Sequence, residues 1–330
     1  MPQVVLTTSC THALEMSALL LRVQPGDEVI LPSFTFVTTA NAFVLRGARP
    51  VFVDVRPDTL NLDEGRVEDA ITEQTRAIVP VHYAGIGCQM DVLGEIAGRH
   101  ALPVVEDNAQ GLFGRFQGQY LGTFGALATV SFHETKNFTC GEGGALLVND
   151  PRLIERAEII SEKGTDRSRF FRGEVDKYTW VDVGSSYILS DLLAAYLLAQ
   201  LERRDHVMRK RAAIFQRYAA GLADLEAAGR LRLPVVPADC EPTNHLFYLL
   251  LPSGAQRDSL IQHLKAQGIL AVFHYVPLHT SKMGRQFGYT EADCPVTQDV
   301  SRRLVRLPFY NDLTEADQMR VIEQIWAFFQ

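Results

Sequence analysis

The chain has 330 residues, of which 47% are hydrophobic, and this allows a large core and two domains. Its 32 Lys and Arg residues against 39 Asp and Glu residues give a formal net charge of −7. This balance argues against a partner such as nucleic acid or an anionic membrane surface, because both attract clustered positive charge.

The five cysteines are odd in number and show no C-x-x-C spacing. This usage favours a reducing compartment over a disulfide framework or a zinc site. No apolar run reaches the length that a membrane span needs. We therefore expect a cytoplasmic protein without a metal.

The first predicted elements are a short strand at residues 4–7 and a helix that opens at residues 9–13. A helix that begins directly after a strand is a ready anion site, because its free backbone N–H groups and its dipole face the ligand. The alternative is a plain Ser/Thr N-cap, which taken alone is the commoner case.

Strand and helix patterns then alternate along the chain. Strands are predicted within residues 26–32, 50–55, 76–82 and 102–107, and helices at 33–46, 63–72 and 90–100. Such alternation requires a mostly parallel sheet with helices on both faces. No G-x-G-x-x-G follows a strand, which argues against a dinucleotide-binding enzyme.

The strand at residues 102–107 ends in two carboxylates, Glu106 and Asp107. Ligands of open α/β sheets bind at the carboxyl ends of the strands. Asp107 is therefore either a cap for the following segment or a partner for a protonated ring nitrogen. Pyridoxal phosphate needs such a partner, because a charged pyridinium is a better electron sink.

Residues 131–144 form a loop of small, polar and reactive side chains between two apolar runs, 125–130 and 144–148. Lys136 lies within it. Desolvation lowers the pKa of a lysine and makes its amine a nucleophile for carbonyls, which is the chemistry of a Schiff-base lysine. The alternative is an ordinary loop charge beside a Gly-rich turn, which is more frequent in proteins.

The second half begins with a charged helix at 151–163, followed by a long polar and aromatic segment at 164–187. A segment of that length without periodicity is usually functional. A helix at 192–201 then leads to a predicted boundary between a large domain, residues 1–205, and a small α+β domain, residues 206–330. In the small domain we predict strands at 246–251 and 270–274 and helices at 257–267, 295–304 and 315–329.

Two histidines at 274 and 279 raise the question of a metal. Pro277 between them prevents the helical two-histidine face that zinc enzymes use, and no carboxylate is near in sequence. A polar substrate contact or a structural histidine is the better interpretation.

Several of these segments, in this order, resemble the sugar aminotransferases of the DegT/DnrJ/EryC1/StrS family; they are residues 9–11, 26–36, 81–85, 105–110 and 131–144. The resemblance covers essentially the whole chain. It implies the aspartate-aminotransferase fold (fold type I), the large domain as the binding site of pyridoxal 5'-phosphate, and a homodimer with shared active sites.

The resemblance also implies roles for individual residues. Lys136 bonds to the cofactor aldehyde and moves the proton, and Asp107 pairs with the pyridine nitrogen. Further cofactor contacts are Gln110 near the ring hydroxyl, Phe36 stacked on the ring, and Cys10, Thr11 and Ser131 at the phosphate. Many members carry Asn at the position of Ser186, where the side chain reaches the partner subunit's cofactor phosphate. His274 and Arg172 are candidates for contacts to the sugar nucleotide or to glutamate.

Shorter segments resemble one group in the family, the dTDP-4-amino-4,6-dideoxygalactose transaminases of enterobacterial common antigen synthesis; they are residues 131–137, 162–165, 170–173, 175–180 and 184–187. This implies amination of dTDP-4-keto-6-deoxyglucose with glutamate, giving dTDP-4-amino-4,6-dideoxygalactose and 2-oxoglutarate.

Three alternatives stay open. One is amination at C3, or of another keto sugar nucleotide. Another is a non-catalytic cofactor- or sugar-binding relative, because family members normally have some tens of residues ahead of the strand at 4–7, including an active-site segment. The third is a relative that dehydrates sugars, but such proteins replace the lysine with histidine, and Lys136 argues against it.

Overall fold

The structure is a computed structural model that describes residues 2–330. Helices and short strands alternate along the chain. The strands are β1 (Gln3–Thr7), β2 (Glu28–Pro32), β3 (Arg49–Val53), β4 (Thr75–Ile78), β5 (Val105–Asp107), β6 (Arg115–Phe116), β7 (Gln119–Tyr120), β8 (Leu127–Ser131), β9 (Gly144–Val148), β10 (Cys240–Glu241), β11 (Tyr248–Leu250) and β12 (Leu304–Arg306). The α-helices are α1 (Cys10–Leu20), α2 (Val37–Val44), α3 (Met90–Arg99), α4 (Ile154–Ser161), α5 (Arg167–Phe171), α6 (Asp191–Glu202), α7 (Arg204–Ala227), α8 (Gly254–Ala266), α9 (Lys282–Gln286), α10 (Pro295–Arg303) and α11 (Glu315–Phe329).

The central sheet has two parts. One has the order β1-β9-β8-β5 and the other the order β3-β2-β4. Parallel bridges from Ile78 to Val104 and from Val81 to Asp107 connect them. The pairs β5–β8, β2–β3 and β2–β4 are parallel, while β9 pairs antiparallel with both β1 and β8. The expected α/β class with a mostly parallel sheet is confirmed.

Burial on both faces explains the composition of the central strands. Every residue of β5 and β8 is buried, as parallel strands covered by helices on both sides require. The Ala- and Leu-rich helix α1 packs against α2, α4 and the β8–β9 pair. The carboxyl ends of β5 and β8 thus meet at one edge of a fully covered sheet.

The C-terminal part has its own core, built from α7, α8, α11 and the two-stranded sheet β11–β12. It also joins the N-terminal part, because β10 pairs with β6 and because Tyr248 and Leu304 pack into the cluster around Tyr83. The predicted domain boundary at residue 205 falls in the first turn of α7 and stays a prediction. Within residues 2–330 no helix has both the length and the apolarity to cross a membrane.

Two predicted elements were wrong. Residues 63–72 form two short 3₁₀ turns, 64–66 and 68–70, rather than one α-helix. Gly65, a poor helix former, stands in the first turn. Residues 270–274 contribute a single bridge, Val272 to Arg306, rather than a strand. The predicted helix at 33–46 begins only at Val37, and the segment 164–187 contains the short helix α5.

Gly144 generates the first testable prediction, because β9 begins directly against the start of α1. A Cβ atom on Gly144 would lie 2.4 Å from the backbone nitrogen of Cys10. Gly144→Ala should therefore lower the free energy of unfolding by about 1–3 kcal/mol, the usual effect of overpacking. Chemical denaturation measures this change.

Gly94→Ala is the matched control for that measurement. Gly94 lies in α3, and a Cβ there would meet nothing within 4 Å. This exposed helix position should gain up to about 1 kcal/mol from the better helix former. Equal stability of the Gly144→Ala variant and the unmodified chain would show that α1 can move away from β9.

Candidate active site

Lys136 lies in the loop between β8 and β9. The loop closes on itself, because the Phe132 N–H donates to the Gly143 carbonyl at 2.8 Å and the Cys140 N–H donates to the Phe132 carbonyl at 3.0 Å. The Lys136 N–H donates to the His133 carbonyl at 2.9 Å and completes a turn. The backbone at Lys136 is thus fixed by local bonds, as the prediction of a loop between two buried strands requires.

Lys136 is half-buried. A small pocket beside it is lined by Gln110, Ser131, Asn137 and His245, among others. Burial lowers the pKa of the Lys136 amine; the negative charge of Asp107 acts in the opposite direction, and the charge of Arg306 lowers it further. The predicted nucleophilic lysine has the environment that its chemistry needs.

Asp107 ends β5 and is only 5% exposed. Its Oδ2 accepts a hydrogen bond from the Thr39 hydroxyl at 2.7 Å, and its Oδ1 accepts one from the Ala109 N–H at 3.1 Å. Two donors orient the carboxylate and leave lone pairs for a further proton donor. The structure thus supports the interpretation of Asp107 as a partner for a protonated ring nitrogen.

An anion cradle lies at the start of α1. The N-cap Ser9 satisfies the N–H groups of His12 and Ala13, at 3.1 and 3.2 Å. The N–H groups of Cys10 and Thr11 lie ahead of them in the same turn, where the helix dipole favours an anion. Gly144 packs against the backbone of Ser9 and Cys10, where a Cβ would collide with the nitrogen of Cys10. A helix start of this kind suits an anion such as phosphate, and the phosphate contacts of Cys10 and Thr11 stay predictions.

Ser131 lies at the end of β8, and its buried side chain lines the pocket beside Lys136. Burial and the neighbouring charge of Asp107 raise the pKa of the Cys10 thiol to about 12, so that this side chain stays neutral. Cys10 therefore carries no thiolate charge, and a contact from its backbone N–H to the phosphate stays a prediction. The phosphate contact of Ser131 stays a prediction.

Both polar atoms of the Gln110 side-chain amide are hydrogen-bonded. Its Oε1 accepts from the Ala84 N–H at 2.8 Å, and its Nε2 donates to the Tyr275 hydroxyl at 3.2 Å. Phe36 is the residue before α2, and its ring is 57% exposed, with its centroid 6.5 Å from that of Tyr275. A large aromatic ring left open at the site is suited to stacking on a ligand ring, as predicted.

The predicted substrate contacts differ in their surroundings. His274 is buried, its Nδ1 lies 3.0 Å from the Tyr83 hydroxyl, and burial together with the charges of Arg306 and Lys136 lowers its pKa to about 2. It is therefore a neutral hydrogen-bonding group near the lysine. Arg172 is exposed and bonds to Glu174 at 2.7 Å and Glu158 at 2.9 Å.

Ser186 is exposed and pairs through its backbone with Glu162. Within residues 2–330, Ser186 and Arg172 make their contacts with residues in the range 158–174 and not in the pocket beside Lys136. Their predicted roles, one of them at a partner subunit, stay predictions. No group of three or more His, Cys, Asp or Glu residues in the described chain is placed to hold a metal ion.

Sequence reasoning missed four residues of the site: Thr39, Asn137, His245 and Arg306. Asn137 follows the lysine, donates to the Thr243 carbonyl at 3.0 Å and lies 2.9 Å from His245 Nδ1. Burial, followed by the charge of Lys136, keeps the pKa of His245 well below its usual range. The Thr-rich start of α2 was a sequence signal for Thr39. The contacts of the other three residues join positions more than a hundred residues apart in the chain.

These residues form a site for one kind of ligand. A lysine amine of lowered pKa, an anchored carboxylate, an anion cradle and an open aromatic ring match an aldehyde-bearing, phosphorylated, basic heteroaromatic cofactor. Pyridoxal phosphate has all of these features. The fold and the site thus define a pyridoxal-phosphate enzyme of fold type I.

Comparison with known proteins identifies the family. Residues 1–326 match the profile of the DegT/DnrJ/EryC1/StrS aminotransferase family. A protein of Methanocaldococcus jannaschii, MJ1066, is 34% identical over 324 residues, which are 96% of this chain and 83% of that protein. The chain belongs to the DegT/DnrJ/EryC1/StrS family and is a pyridoxal-phosphate-dependent sugar aminotransferase.

Solved structures agree with this assignment. The aminotransferase TlmJ from Streptoalloteichus hindustanus is 32% identical with a TM-score of 0.90, over 99% of this chain and 86% of that one. The PMP-form of the putative sugar aminotransferase Spr1654 from Streptococcus pneumoniae is 28% identical with a TM-score of 0.92, over 99% of this chain and 88% of that one.

The hydrogen bond from Thr39 to Asp107 generates a prediction on the cofactor. Thr39→Val keeps the shape of the side chain but removes the donor, so the carboxylate loses part of its orientation. A hydrogen bond to a charged group contributes about 1.5–3 kcal/mol, and we expect the Kd for pyridoxal phosphate to rise about tenfold or more. Equilibrium dialysis of the cofactor measures it. Thr39→Ser retains the hydroxyl and should bind as the unmodified chain does; equal affinity of all three would contradict the role of Thr39.

The lowered pKa of Lys136 generates a prediction on pH. Only the unprotonated amine reacts with an aldehyde, so reductive methylation of Lys136 by formaldehyde should reach half of its maximal rate below the pH of about 10.4 that is typical of free lysine. Asp107 raises the pKa of the amine, so Asp107→Asn should shift the profile to still lower pH. Peptide mass spectrometry reads out the modification, with the exposed Lys163 as an internal control. A shift to higher pH in Asp107→Asn would contradict this electrostatic assignment.

Proposed function

We propose that this enzyme transfers the amino group of glutamate to C4 of dTDP-4-keto-6-deoxyglucose. The products would be dTDP-4-amino-4,6-dideoxygalactose and 2-oxoglutarate, in the cytoplasmic synthesis of a cell-surface polysaccharide of the enterobacterial common antigen type. The observation that carries the proposal is Lys136 between β8 and β9, desolvated and close to the anchored Asp107, within a segment that resembles this group of transaminases. The finer substrate assignment is supported by the resemblance of residues 162–187.

When bound, pyridoxal phosphate supplies an electron sink for the carbon that loses or gains a proton. Asp107 Oδ1 and Oδ2, oriented by Ala109 and Thr39, would hold a proton on the ring nitrogen. The N–H groups of Cys10 and Thr11 would bind the phosphate, and Phe36 would cover one face of the ring. These contacts fix the ring relative to Lys136, which is the condition for a directed proton transfer.

Lys136 Nζ would be the acid and base of both half-reactions. In the first, it takes the proton from the α-carbon of glutamate; in the second, it delivers a proton to C4 of the sugar. A base acts best when its pKa is near the working pH, and desolvation moves the pKa of Lys136 in that direction. The neutral His274 and the Tyr83 hydroxyl would offer hydrogen bonds to substrate without adding charge.

We further propose a homodimer that shares its active sites. The segment 164–187 presents large apolar side chains to solvent, among them Phe171 and Trp180, the latter 78% exposed. Ser186 lies in the same exposed stretch. A second copy of the chain would cover these side chains, and Ser186 would then lie near the partner subunit's cofactor.

The proposal is tested by the visible spectrum of the cofactor-loaded protein during sequential additions. Glutamate should bleach the yellow band, and dTDP-4-keto-6-deoxyglucose should restore it. Lys136→Ala should lose at least about 10²–10⁴-fold in the rate of both changes, the usual contribution of a positioned base. Stopped-flow absorbance measures the rates.

The product decides the finer part of the proposal. NMR of the isolated nucleotide sugar should show the amino group at C4 in the galacto configuration. An amino group at C3, or no recovery of the yellow band with this sugar, would contradict the substrate assignment. Rapid turnover by Lys136→Ala would contradict the role of the lysine.

A further inference from the structure

His245 is a buried histidine beside Lys136 whose two ring nitrogens have different surroundings. Its backbone is fixed, because its N–H donates to the Ala84 carbonyl at 3.2 Å and its carbonyl accepts from the guanidinium of Arg211. Its Nδ1 lies 2.9 Å from Oδ1 of Asn137. Within residues 2–330 no hydrogen bond reaches its Nε2. The ring thus has a fixed position, and Nε2 is the nitrogen that remains for another group.

The hydrogen bonds of Asn137 determine which nitrogen of His245 carries the proton. A carbonyl only accepts, so it is the side-chain nitrogen of Asn137 that donates to the Thr243 carbonyl at 3.0 Å. Oδ1 of Asn137 therefore faces the His245 ring and needs a donor, which is a protonated Nδ1. A neutral imidazole has a single N–H, so Nε2 is an acceptor with an open lone pair. Burial and the charge of Lys136 keep the pKa of His245 well below its usual range, in agreement with a neutral ring.

His245 and Lys136 border the same small cavity. Its other walls include the side chains of Leu112 and Phe138. Its volume is about 10 Å³, which is enough for one water molecule but not for a sugar ring. Within residues 2–330 the amine of Lys136 makes no hydrogen bond. A donor and an acceptor, each without a partner in the described chain, thus meet at a space that fits one small polar group.

A second buried histidine shows what a structural role looks like. Nε2 of His82 lies 3.0 Å from Oε2 of Glu106, and its Nδ1 accepts from the Cys88 N–H at 3.2 Å. The fold uses both of these nitrogens. In His245 it uses one, and a desolvated acceptor without a donor is unfavourable. Nε2 of His245 is thus available to a donor that is present in some states of the enzyme and absent in others.

We propose that this cavity receives the Lys136 amine whenever the amine is not bonded to the cofactor, with Nε2 of His245 as its hydrogen-bond acceptor. An ammonium group is close to water in size and fits the space. The flexible four-carbon side chain of lysine lets the amine enter and leave. His245 is then a positioning residue, which defines where the amine lies between the two half-reactions. The inference rests on the proposed role of Lys136 and not on the identity of either substrate.

The test compares two variants of the full chain freed of cofactor, in which Lys136 is a free amine. His245→Asn keeps a donor for Asn137 but ends short of the cavity, whereas His245→Gln extends an acceptor to the position of Nε2. A hydrogen bond to a charged group favours the ammonium form. His245→Asn should therefore lower the pKa of Lys136 by about 1 to 2, and His245→Gln should leave it unchanged. The pH dependence of reductive methylation, read by peptide mass spectrometry, gives this pKa.

The neighbouring charges are the same in both variants. The charged and titratable groups around the two side chains are Cys10, Asp107, Arg211, His274 and Arg306. A difference between His245→Asn and His245→Gln therefore reports the hydrogen bond and not the electrostatic surroundings. His100→Asn is the matched control, since His100 bonds to Glu68 at the surface and should leave the pKa of Lys136 unchanged.

Two further measurements make the test independent of a single variant. Nitrogen NMR of the unmodified chain should show the ring proton of His245 on Nδ1, and a proton on Nε2 would overturn the proposal. In the cofactor-loaded protein, His245→Asn should slow the bleaching of the yellow band by glutamate about tenfold or more, and His245→Gln should restore the rate. Thermal unfolding checks that the variants fold.

The proposal is overturned by an unchanged or higher pKa of Lys136 in His245→Asn, and equally by the same pKa in His245→Asn and His245→Gln. The pKa is measured without substrates, so a wrong sugar or amino donor does not affect it. If Lys136→Ala abolishes turnover while His245→Asn keeps the pKa of Lys136, the role of the lysine stands and this inference alone fails.

Discussion

The placement of the Asp107 carboxylate and the Lys136 amine at one edge of the sheet is the constraint on which the rest of the site depends. A buried carboxylate is stable only with donors or a positive charge nearby. The parallel register of β5 with β8, in which Asp107 faces Thr129, brings the ends of these strands together. The loop after β8 then returns Lys136 to the same edge. The sheet therefore places an acid and an amine at the same edge, although 28 residues of chain separate them, and the charge of Asp107 raises the pKa of Lys136 against the effect of burial.

The charges around Lys136 and Asp107 determine which ligands the site can bind. Lys136 and Arg306 are the cations, and burial keeps His245 and His274 neutral. The anion cradle at α1 adds the positive end of a helix dipole. Among residues 2–330, Asp107 is the buried carboxylate whose charge acts on Lys136, and the cofactor ring would occupy it. A surplus of positive charge remains in a chain whose net charge is −7, and it matches ligands that carry phosphate or carboxylate groups.

Sequence patterns predicted those elements and site residues whose positions depend on their neighbours in the chain. Lys136 and Asp107 each follow a buried strand, so strand patterns alone placed them at a ligand-binding edge. His245 and Arg306 could not be found in this way, because their roles depend on contacts made across the fold. The same limit explains the failure at 270–274, where the apolar run has one bridge, from Val272 to Arg306, in place of a neighbouring strand. At 63–72 the cause is local, because the poor helix former Gly65 stands in the first 3₁₀ turn.

Contacts between the N-terminal and C-terminal parts of the chain fix the backbone next to Lys136 but not its side chain. Asn137, directly after the lysine, is bound to the Thr243 carbonyl and to His245, and Arg211 holds the carbonyl of Asn244 between them. Gln110 is tied to Tyr275 and, through its carbonyl, to the Thr243 hydroxyl at 2.6 Å. The backbone beside Lys136 is therefore anchored by the C-terminal part, while within residues 2–330 no group is hydrogen-bonded to the lysine amine. A base that leaves and returns in each half-reaction needs this combination, because a rigid attachment defines where a mobile side chain can deliver its proton.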